Sequence, residues 1–273
     1  SQSRKNCEGA GRIQRDFLCG MDSVVKFSLW SYRLGLREPL AALGENRRYR
    51  AGLLLGKRLD SGEWRFGEAA PIPSFHRITL TETGNQIRQQ LSGSTEETHP
   101  IVQWCFQQLN IETTPEQVLV NQLLQPSSAK TQPQSSIIKL KVGRQSVEED
   151  QQWISTLLSK NPELTLRLDA NRLWSLSQAQ QFWEWAQKLP IEYIEDPVAN
   201  PADLDRLSTV PVALDELLEP SLIAHPNVRA VVIKPSLCGD MTNTLIEIAR
   251  QNQRKVVLSS AFETSVGLSR IAA

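Results

Sequence analysis

The sequence predicts an α/β fold, a (β/α) barrel that follows a smaller α+β domain. Five strand-like runs end in charged residues, which are Lys141, Asp169, Glu195, Asp215 and Lys234. These residues recur at intervals of 28, 26, 20 and 19, which suits a strand, a helix and two short loops. In a (β/α) barrel the C-terminal ends of the strands converge on one face, where active sites lie. We therefore expect the five side chains to face one another.

The composition narrows the class of protein. The 273 residues suffice for a barrel with a smaller partner domain. Thirty basic and thirty acidic residues give zero net charge, so no general attraction to nucleic acid or a membrane surface is predicted. No apolar run approaches the roughly 18 residues that indicate a membrane span. Cys7, Cys19, Cys105 and Cys238 show no C-x-x-C spacing and are predicted to be reduced thiols of a cytoplasmic protein.

The first part of the chain predicts the smaller domain. Residues 1–20 are polar and lack the apolar core of a secretory signal, so we expect a disordered extension there. Strand-like runs at 24–32, 49–56 and 64–71 predict an antiparallel meander. Helical patterns at 80–91 and 101–109 follow. The α+β domain is accordingly predicted over residues 21–116.

The βα repeat is predicted over residues 117–273. Its first strand falls near 118–124 and its seventh near 255–260. Residues 126–135 alone join the first two strands, which is short for a parallel crossover. Thirteen residues follow Ser260, enough to begin a helix but too few for another βα unit. We therefore expect a barrel that lacks its last strand.

Two lysines share one face of the second barrel strand, residues 137–143. Because alternate side chains of a strand point the same way, Lys139 and Lys141 lie together, and Ile138 and Leu140 lie opposite. Two ammonium groups on one face are costly to bury unless anions lie nearby. The acidic residues that end the next strands would supply those anions.

Taken together, the motifs resemble the enolase superfamily, and within it the o-succinylbenzoate synthase family of menaquinone and phylloquinone biosynthesis. The motifs are K-x-K at 139–141, D-A-N at 169–171, E-D-P at 195–197, L-D-E at 214–216 and I-K-P at 233–235. The run F-G-E-A-A-P-I-P at 66–73 resembles that family's capping-domain motif, and V-L-S-S-A-F-E-T-S at 257–265 resembles a barrel motif. The resemblance covers about residues 22–273. It implies that the 21–116 domain caps an enolase-type barrel.

The resemblance implies that Asp169, Glu195 and Asp215 ligate one Mg²⁺, with Mn²⁺ as the alternative ion. A single aspartate at a strand end is commonly a helix N-cap, but three carboxylates at successive strand ends suit a hard cation that takes oxygen ligands. Glu195 and Asp196 compete for the middle place. Because Ile194 suits the helix layer, its neighbour Glu195 is expected to point inward.

The resemblance also implies roles for the lysines. Lys141 would be the general base, and Lys234 would face it across the substrate. A lysine must lose its proton to act as a base near neutral pH, and the like charge of Lys139 favours that loss. The side chains expected to contact substrate are Lys139, Arg167, Asn171, Ser259, Ser260 and Phe262. His76, His99 and His225 lie outside the repeat pattern and are predicted to be surface or loop residues.

The implied enzyme is a carbon–oxygen lyase that acts on a small-molecule carboxylate, with no nucleic-acid or membrane partner. Its reaction would be the dehydration of 2-succinyl-6-hydroxy-2,4-cyclohexadiene-1-carboxylate to o-succinylbenzoate. Racemisation of N-acylamino acids, which needs the same two lysines, is the alternative within the superfamily. A truncated, inactive relative is the alternative from another class. The loop at 36–48 would set specificity by its shape, so the sequence does not rank the substrates, and it leaves the oligomeric state open.

Overall fold

The computed structural model describes residues 12–17, 26–37, 48–112, 118–124 and 132–273. The chain divides into two compact units. The first unit consists of the described residues of 1–116 with 234–242 and 258–273, and the second of those of 117–233 with 243–257. The domain boundaries expected from the sequence, 1–20, 21–116 and 117–273, stay a prediction.

The elements alternate as the sequence predicts: strands and helices of the first domain come first, and the βα repeat follows. In chain order they are β1 (Arg12–Phe17), β2 (Lys26–Gly35), β3 (Tyr49–Arg58), β4 (Trp64–Ala69), α1 (Pro73–His76), α2 (Leu80–Leu91), α3 (Pro100–Gln108), β5 (Gln122–Leu124), β6 (Ile137–Lys141), α4 (Val147–Lys160), β7 (Thr165–Asp169), α5 (Leu176–Ala186), β8 (Ile191–Glu195), a 3₁₀ helix (Pro201–Leu207), β9 (Val212–Leu214), α6 (Pro220–Ile223), β10 (Val228–Ile233), α7 (Pro235–Cys238), α8 (Met241–Gln251), β11 (Lys255–Leu258) and α9 (Ser265–Ile271).

The first unit is built on an antiparallel sheet in the order β1-β2-β3-β4. The predicted meander of three strands is confirmed as β2, β3 and β4, and β1 is an additional strand. Helices α2 and α3 pack on the sheet, and α2 begins at a capping box in which Thr79 and Glu82 bond each other's backbone N–H groups. The buried core consists of Leu29, Leu53, Leu55, Ala69, Ile78, Ile87, Ile101, Val102, Cys105 and Leu109.

Strand β1 corrects the prediction of a disordered extension over residues 1–20, which is wrong for Arg12–Phe17. These six residues pair with β2 in continuous register, from Arg12 opposite Arg33 to Phe17 opposite Ser28. The outer edge of β2 offers backbone N–H and C=O groups that need partners. Because the pairing is made by the backbone, the largely polar sequence of 12–17 gives little signal of the strand.

The second unit is a parallel βα array. Its sheet has the order β11-β10-β9-β8-β7-β6-β5, and the pairs from β5 through β10 are parallel. The predicted (β/α) barrel class with seven strands is confirmed. The first strand is shorter than expected, since β5 spans Gln122–Leu124. Within the described part of the chain, no further strand pairs with β5 or β11.

The seven-stranded sheet curls strongly. Lys255 of β11 donates a hydrogen bond to Glu192 of β8, three places along the sheet. Strands lie about 4.8 Å apart, so in a flat sheet these strands would be about 14 Å from each other. Arg167 of β7 bonds the same carboxylate, with 2.7 Å between Nε and Oε2. The Lys255–Glu192 pair therefore joins strands that only a curled, barrel-like sheet brings together, whereas Arg167–Glu192 joins the neighbours β7 and β8.

Several sequence expectations fall in part outside the described residues. Residues 38–47 of the predicted specificity loop (36–48) lie outside the described part of the chain. Residues 126–131 of the short crossover (126–135) also lie outside it. Cys7 and Cys19 are also outside, whereas Cys105 is a buried free thiol and Cys238 is half-buried. Among the helices that the structure describes, none has the length and apolar character needed to cross a bilayer.

Candidate active site

Parallel pairing lines up the charged strand ends. Lys141 pairs with Asp169 across β6 and β7, and Asp169 pairs with Glu195 across β7 and β8. Glu195 in turn lies opposite Ala213 of β9, and Asp215 comes two residues after Ala213. Register alone thus brings one lysine and two acids into a row, with the third acid just past the end of the next strand.

The three carboxylates converge closely enough to hold one cation. Asp169, Glu195 and Asp215 each offer an oxygen, and these oxygens lie within 4.8 Å of one another. Asp169 and Glu195 are buried, and Asp215 is half-buried. Oxygens that share one Mg²⁺ at about 2.1 Å lie at most about 4.2 Å apart, so the carboxylates need to close in only slightly. The donor set fits a hard divalent cation.

Both lysines of β6 contact this acidic group. The Lys139 ammonium is hydrogen-bonded to Glu195 Oε2 and lies 2.8 Å from Asp169 Oδ2. The Lys141 Nζ lies 2.5 Å from the same Asp169 oxygen and 2.7 Å from Asn171 Oδ1. Residues 138 and 140, on the other face, are fully buried. The predicted alternation along β6 is confirmed, and anions flank both ammonium groups as their burial requires.

Burial and neighbouring charges both shift the pKa values of Glu195, Asp169 and Lys139. Burial raises the pKa of Glu195 to about 7. The positive charge of Lys139 opposes this rise, and the negative charge of Asp169 adds to it. Burial also raises the pKa of Asp169, but the charges of Lys139 and Lys141 lower it by more, so that it lies below its usual range. Burial lowers the pKa of Lys139, while Glu195 and Asp169 raise it by more, so it lies above the ordinary lysine value. A cation held by these acids would favour their ionised forms.

The structure separates Glu195 from its neighbour Asp196. Glu195 belongs to the carboxylate group, whereas the buried Asp196 accepts three backbone hydrogen bonds from residues 215–217. Burial raises the pKa of Asp196 to about 6, although these N–H donors oppose the shift. Sequence reasoning weighed Asp196 only as a competing ligand, because its actual partners lie 19 to 21 residues away.

Arg167 and Asn171 occupy different levels of the same strand face. Arg167 lies deeper, bonded to Glu192 at 2.7 Å and to Asn121 at 3.2 Å, with its guanidinium 5.2 Å from the centre of the Tyr193 ring. Asn171 lies two residues beyond the end of β7, where its side-chain oxygen contacts the second lysine of β6. Substrate contact by either residue stays a prediction.

The remaining predicted site residues belong to the first unit. Lys234 directly follows β10 and precedes α7, and Ser259 and Ser260 are half-buried. Phe262 is exposed and has a positive φ of 62°. Its ring stacks on that of residue 75 with 6.4 Å between centroids, and its carbonyl accepts a 2.9 Å hydrogen bond from Arg50. A part for these residues in the site stays a prediction.

The prediction that His76 is a surface or loop residue is wrong, because its side chain is buried. His76 Nδ1 accepts a 3.1 Å hydrogen bond from the Ile72 N–H, and Nε2 lies 3.2 Å from Ser236 Oγ. Ser236 donates onward to Glu263 at 2.8 Å. The flanking apolar residues Ile72 and Ile78 are the signal in the sequence that could have indicated burial.

The other two histidines are loop residues, as predicted. His99 is the N-cap of α3, and its Nδ1 accepts a 3.3 Å hydrogen bond from the Ile101 N–H. His225 lies between α6 and β10, with its Nε2 3.0 Å from an oxygen of the exposed Asp205. Neither contacts the carboxylate group among the described hydrogen bonds.

Comparisons with known proteins agree with the geometry. Residues 128–272 match the family model described as enolase C-terminal domain-like. The o-succinylbenzoate synthase of Vibrio cholerae serotype O1 (strain M66-2) is 29% identical over 280 residues, which cover 90% of this chain and 83% of that protein. The o-succinylbenzoate synthase of Pasteurella multocida (strain Pm70) is 28% identical over 295 residues, covering 92% and 86%.

Solved structures share the fold. The o-succinylbenzoate synthase of Thermosynechococcus elongatus BP-1, complexed with Mg in its active site, superposes with a TM-score of 0.73 at 26% identity, covering 90% of this chain and 87% of that one. The L-Ala-D/L-Glu epimerase of Bacillus subtilis has a TM-score of 0.71 at 16% identity, covering 90% and 85%. The second likeness concerns the fold alone.

Proposed function

The chain belongs to the enolase superfamily, as its motifs predict, and on that premise we propose that it dehydrates 2-succinyl-6-hydroxy-2,4-cyclohexadiene-1-carboxylate to o-succinylbenzoate. The observation that carries the proposal is the contact of Lys141 with a convergent group of three carboxylates. The class of enzyme, a carbon–oxygen lyase of this superfamily, agrees with the relatives that bear the synthase name. The substrate itself rests on those relatives, at 26% to 29% identity.

Asp169, Glu195 and Asp215 are proposed to hold Mg²⁺, with Mn²⁺ as the alternative ion. The support is the spacing of their oxygens and the suitability of carboxylates for a hard cation. When bound, the cation would stabilise the negative charge that develops on the substrate carboxylate as the proton leaves. Asp169, Glu195 and Asp215 would hold the ion from adjacent strands, which supply oxygen ligands from one side.

Lys141 is proposed to move the proton. In its neutral form the amine would take the proton from the carbon that bears the carboxylate. The bond from the neighbouring carbon to its hydroxyl then breaks, and the hydroxyl leaves as water with the proton that Lys141 returns. The products are one o-succinylbenzoate and one water, so atoms and charge balance. Asp169 and Asn171 fix Lys141 Nζ at the ends of the strands at 2.5 and 2.7 Å.

The remaining roles follow from the family pattern. Lys234 is proposed to stabilise the charge of the deprotonated substrate electrostatically, which is the role that its I-K-P motif has by resemblance. Lys139 is proposed to hold Glu195 and Asp169 in place through its ammonium group. Substrate contacts by residues 259, 260 and 262, and a cytoplasmic location, stay predictions.

Turnover of the cyclohexadiene carboxylate tests the proposal. Purified protein with Mg²⁺ should convert it to o-succinylbenzoate, separated and quantified by chromatography, and a chelator should abolish the conversion. Asp205→Asn is a matched control, because Asp205 is an exposed acid of the same unit that pairs with His225; it should leave turnover unchanged. Absence of product from protein that binds Mg²⁺ would refute the dehydration. Incubation of an N-acylamino acid in D₂O tests the racemase alternative, which predicts exchange of the α-proton.

A further inference from the structure

Asp196 binds the turn that follows β9. Its carboxylate accepts hydrogen bonds from three consecutive backbone N–H groups, those of Asp215 at 3.1 Å, Glu216 at 2.5 Å and Leu217 at 3.3 Å. Asp196 is 1% exposed, so water does not replace these bonds. Hydrogen bonds to an ionised acceptor are stronger than neutral ones. One buried side chain therefore holds the backbone N–H groups of three consecutive residues, 215–217.

This turn carries two groups that face the site. Asp215 contributes an oxygen to the carboxylate group. Glu216 accepts from Asn171 Nδ2 at 3.3 Å and from Arg172. Because the amide nitrogen of Asn171 faces Glu216, its oxygen faces Lys141, at 2.7 Å from Nζ. The turn thus places Asp215 of the carboxylate group directly. Through Glu216 it also places Asn171, which is a partner of Lys141.

The backbone on both sides of this contact is constrained. Asp196, Asn171 and Arg172 have positive φ values of 38°, 45° and 61°, a region that residues other than glycine enter at a cost. The Arg172 N–H also donates to the Asp196 carbonyl at 2.8 Å. Such conformations persist only where surrounding bonds fix them, and the bonds of Asp196 are of that kind.

We propose that Asp196 is a positioning residue that sets the metal ligand Asp215 and, through Glu216 and Asn171, the base Lys141. This inference rests on the proposed function for the roles of Asp215 and Lys141. It adds that Asp196, the acid next to the proposed ligand Glu195, connects Asp215 with Lys141, although Asp196 contributes no oxygen to the carboxylate group. A residue that only stabilised the fold would change the melting temperature without changing the affinity for Mg²⁺.

Asp196→Asn is the main test variant, because it keeps the shape of the side chain but replaces one acceptor oxygen with an amide donor. Calorimetric titration of metal-free protein should give an Mg²⁺ affinity about 10- to 100-fold weaker than that of wild type, the usual effect of losing a partner that orients a metal ligand. Asp205→Asn removes an exposed acid of the same unit and should bind Mg²⁺ as wild type does.

Glu216→Gln separates the two effects proposed for Asp196, which are the placement of Asp215 and the placement of Lys141 through Asn171. Its backbone still donates to Asp196, as does that of Asp215, so the affinity for Mg²⁺ should be retained. The glutamine amide that replaces the carboxylate is a neutral acceptor and therefore a weaker one. The orientation of Asn171 is then less firmly fixed, and kcat should fall with little change in KM. Loss of Mg²⁺ affinity in Glu216→Gln, equal to that in Asp196→Asn, would overturn the separation of the effect on Asp215 from the effect on Lys141.

Hydrogen exchange supplies a measurement on the turn itself. In metal-free wild-type protein the amides of residues 215–217 should exchange slowly, and in Asp196→Asn they should exchange faster. Rapid exchange in wild type, or an unchanged Mg²⁺ affinity in Asp196→Asn, would overturn the inference. Wild-type protein that binds no Mg²⁺ would overturn both this inference and the proposed function. Wild-type protein that binds Mg²⁺ but forms no product would refute the dehydration, and the weakened Mg²⁺ affinity of Asp196→Asn would still support the positioning of Asp215.

Discussion

Acid should destabilise this protein through His76, whose imidazole is 2% exposed. Burial lowers the pKa of His76 to about 4, from an ordinary value of 6.5. A proton on Nδ1 would also face the Ile72 N–H, which already donates to that atom. In the unfolded chain the imidazole takes its proton near pH 6.5. Between these two pKa values the unfolded state holds more protons, so stability falls as the pH falls.

The size of the effect follows from the two pKa values. At about 1.4 kcal/mol for each pH unit, the full loss below pH 4 is about 3 kcal/mol, and about 2 kcal/mol of it is present at pH 5. Urea unfolding at pH 7 and pH 5 measures it against His76→Asn, whose amide oxygen can accept from Ile72 but does not titrate. Wild type should lose about 2 kcal/mol more than the variant between the two pH values.

A control separates the titration from the lost contact. Ser236→Ala removes the hydroxyl beside Nε2 of His76 but keeps the imidazole, so its pH dependence should resemble that of wild type. Equal losses in wild type and His76→Asn would refute the reasoning, because they would show that the buried imidazole does not oppose protonation.

Three further predictions concern the site and the two cores. Lys141→Ala should abolish dehydration with its circular dichroism spectrum retained, whereas Lys139→Ala should leave measurable turnover; complete loss in both would contradict this division of roles. Gly67→Ala should lower the free energy of unfolding by about 1–3 kcal/mol in urea titrations, because its Cβ would lie 2.0 Å from the Cys105 carbonyl oxygen. Phe182→Ala should cost about 3–5 kcal/mol in the same assay, since the ring is fully buried in the second unit; a loss under about 1 kcal/mol would contradict the packing described for it.

The row of charges at the strand ends could be predicted because it depends on local rules. Alternation along a strand places Lys139 and Lys141 on one face, and a regular βα step carries each acid to the same end of the sheet. Parallel pairing then brings Lys141, Asp169 and Glu195 into register. The regular spacing of the motifs is the only long-range information that this part of the site requires.

Other features depend on partners far away in the chain and have no local signal. Strand β1 forms along the outer edge of β2, and its residues 12–17 do not alternate in hydrophobicity. Asp196 takes its role from backbone groups of the turn after β9. His76 is buried where residues 72 and 236 lie around it. In each case the deciding contact exists only in the folded chain.

Titration of metal-free protein with Mg²⁺ tests the central claim most directly. Wild type should bind one Mg²⁺, and Asp169→Asn, Glu195→Gln and Asp215→Asn should each weaken or abolish that binding, because each removes one of the three converging oxygens. Asp205→Asn should bind as wild type does. Unchanged affinity in all three variants of the carboxylate group would contradict the account.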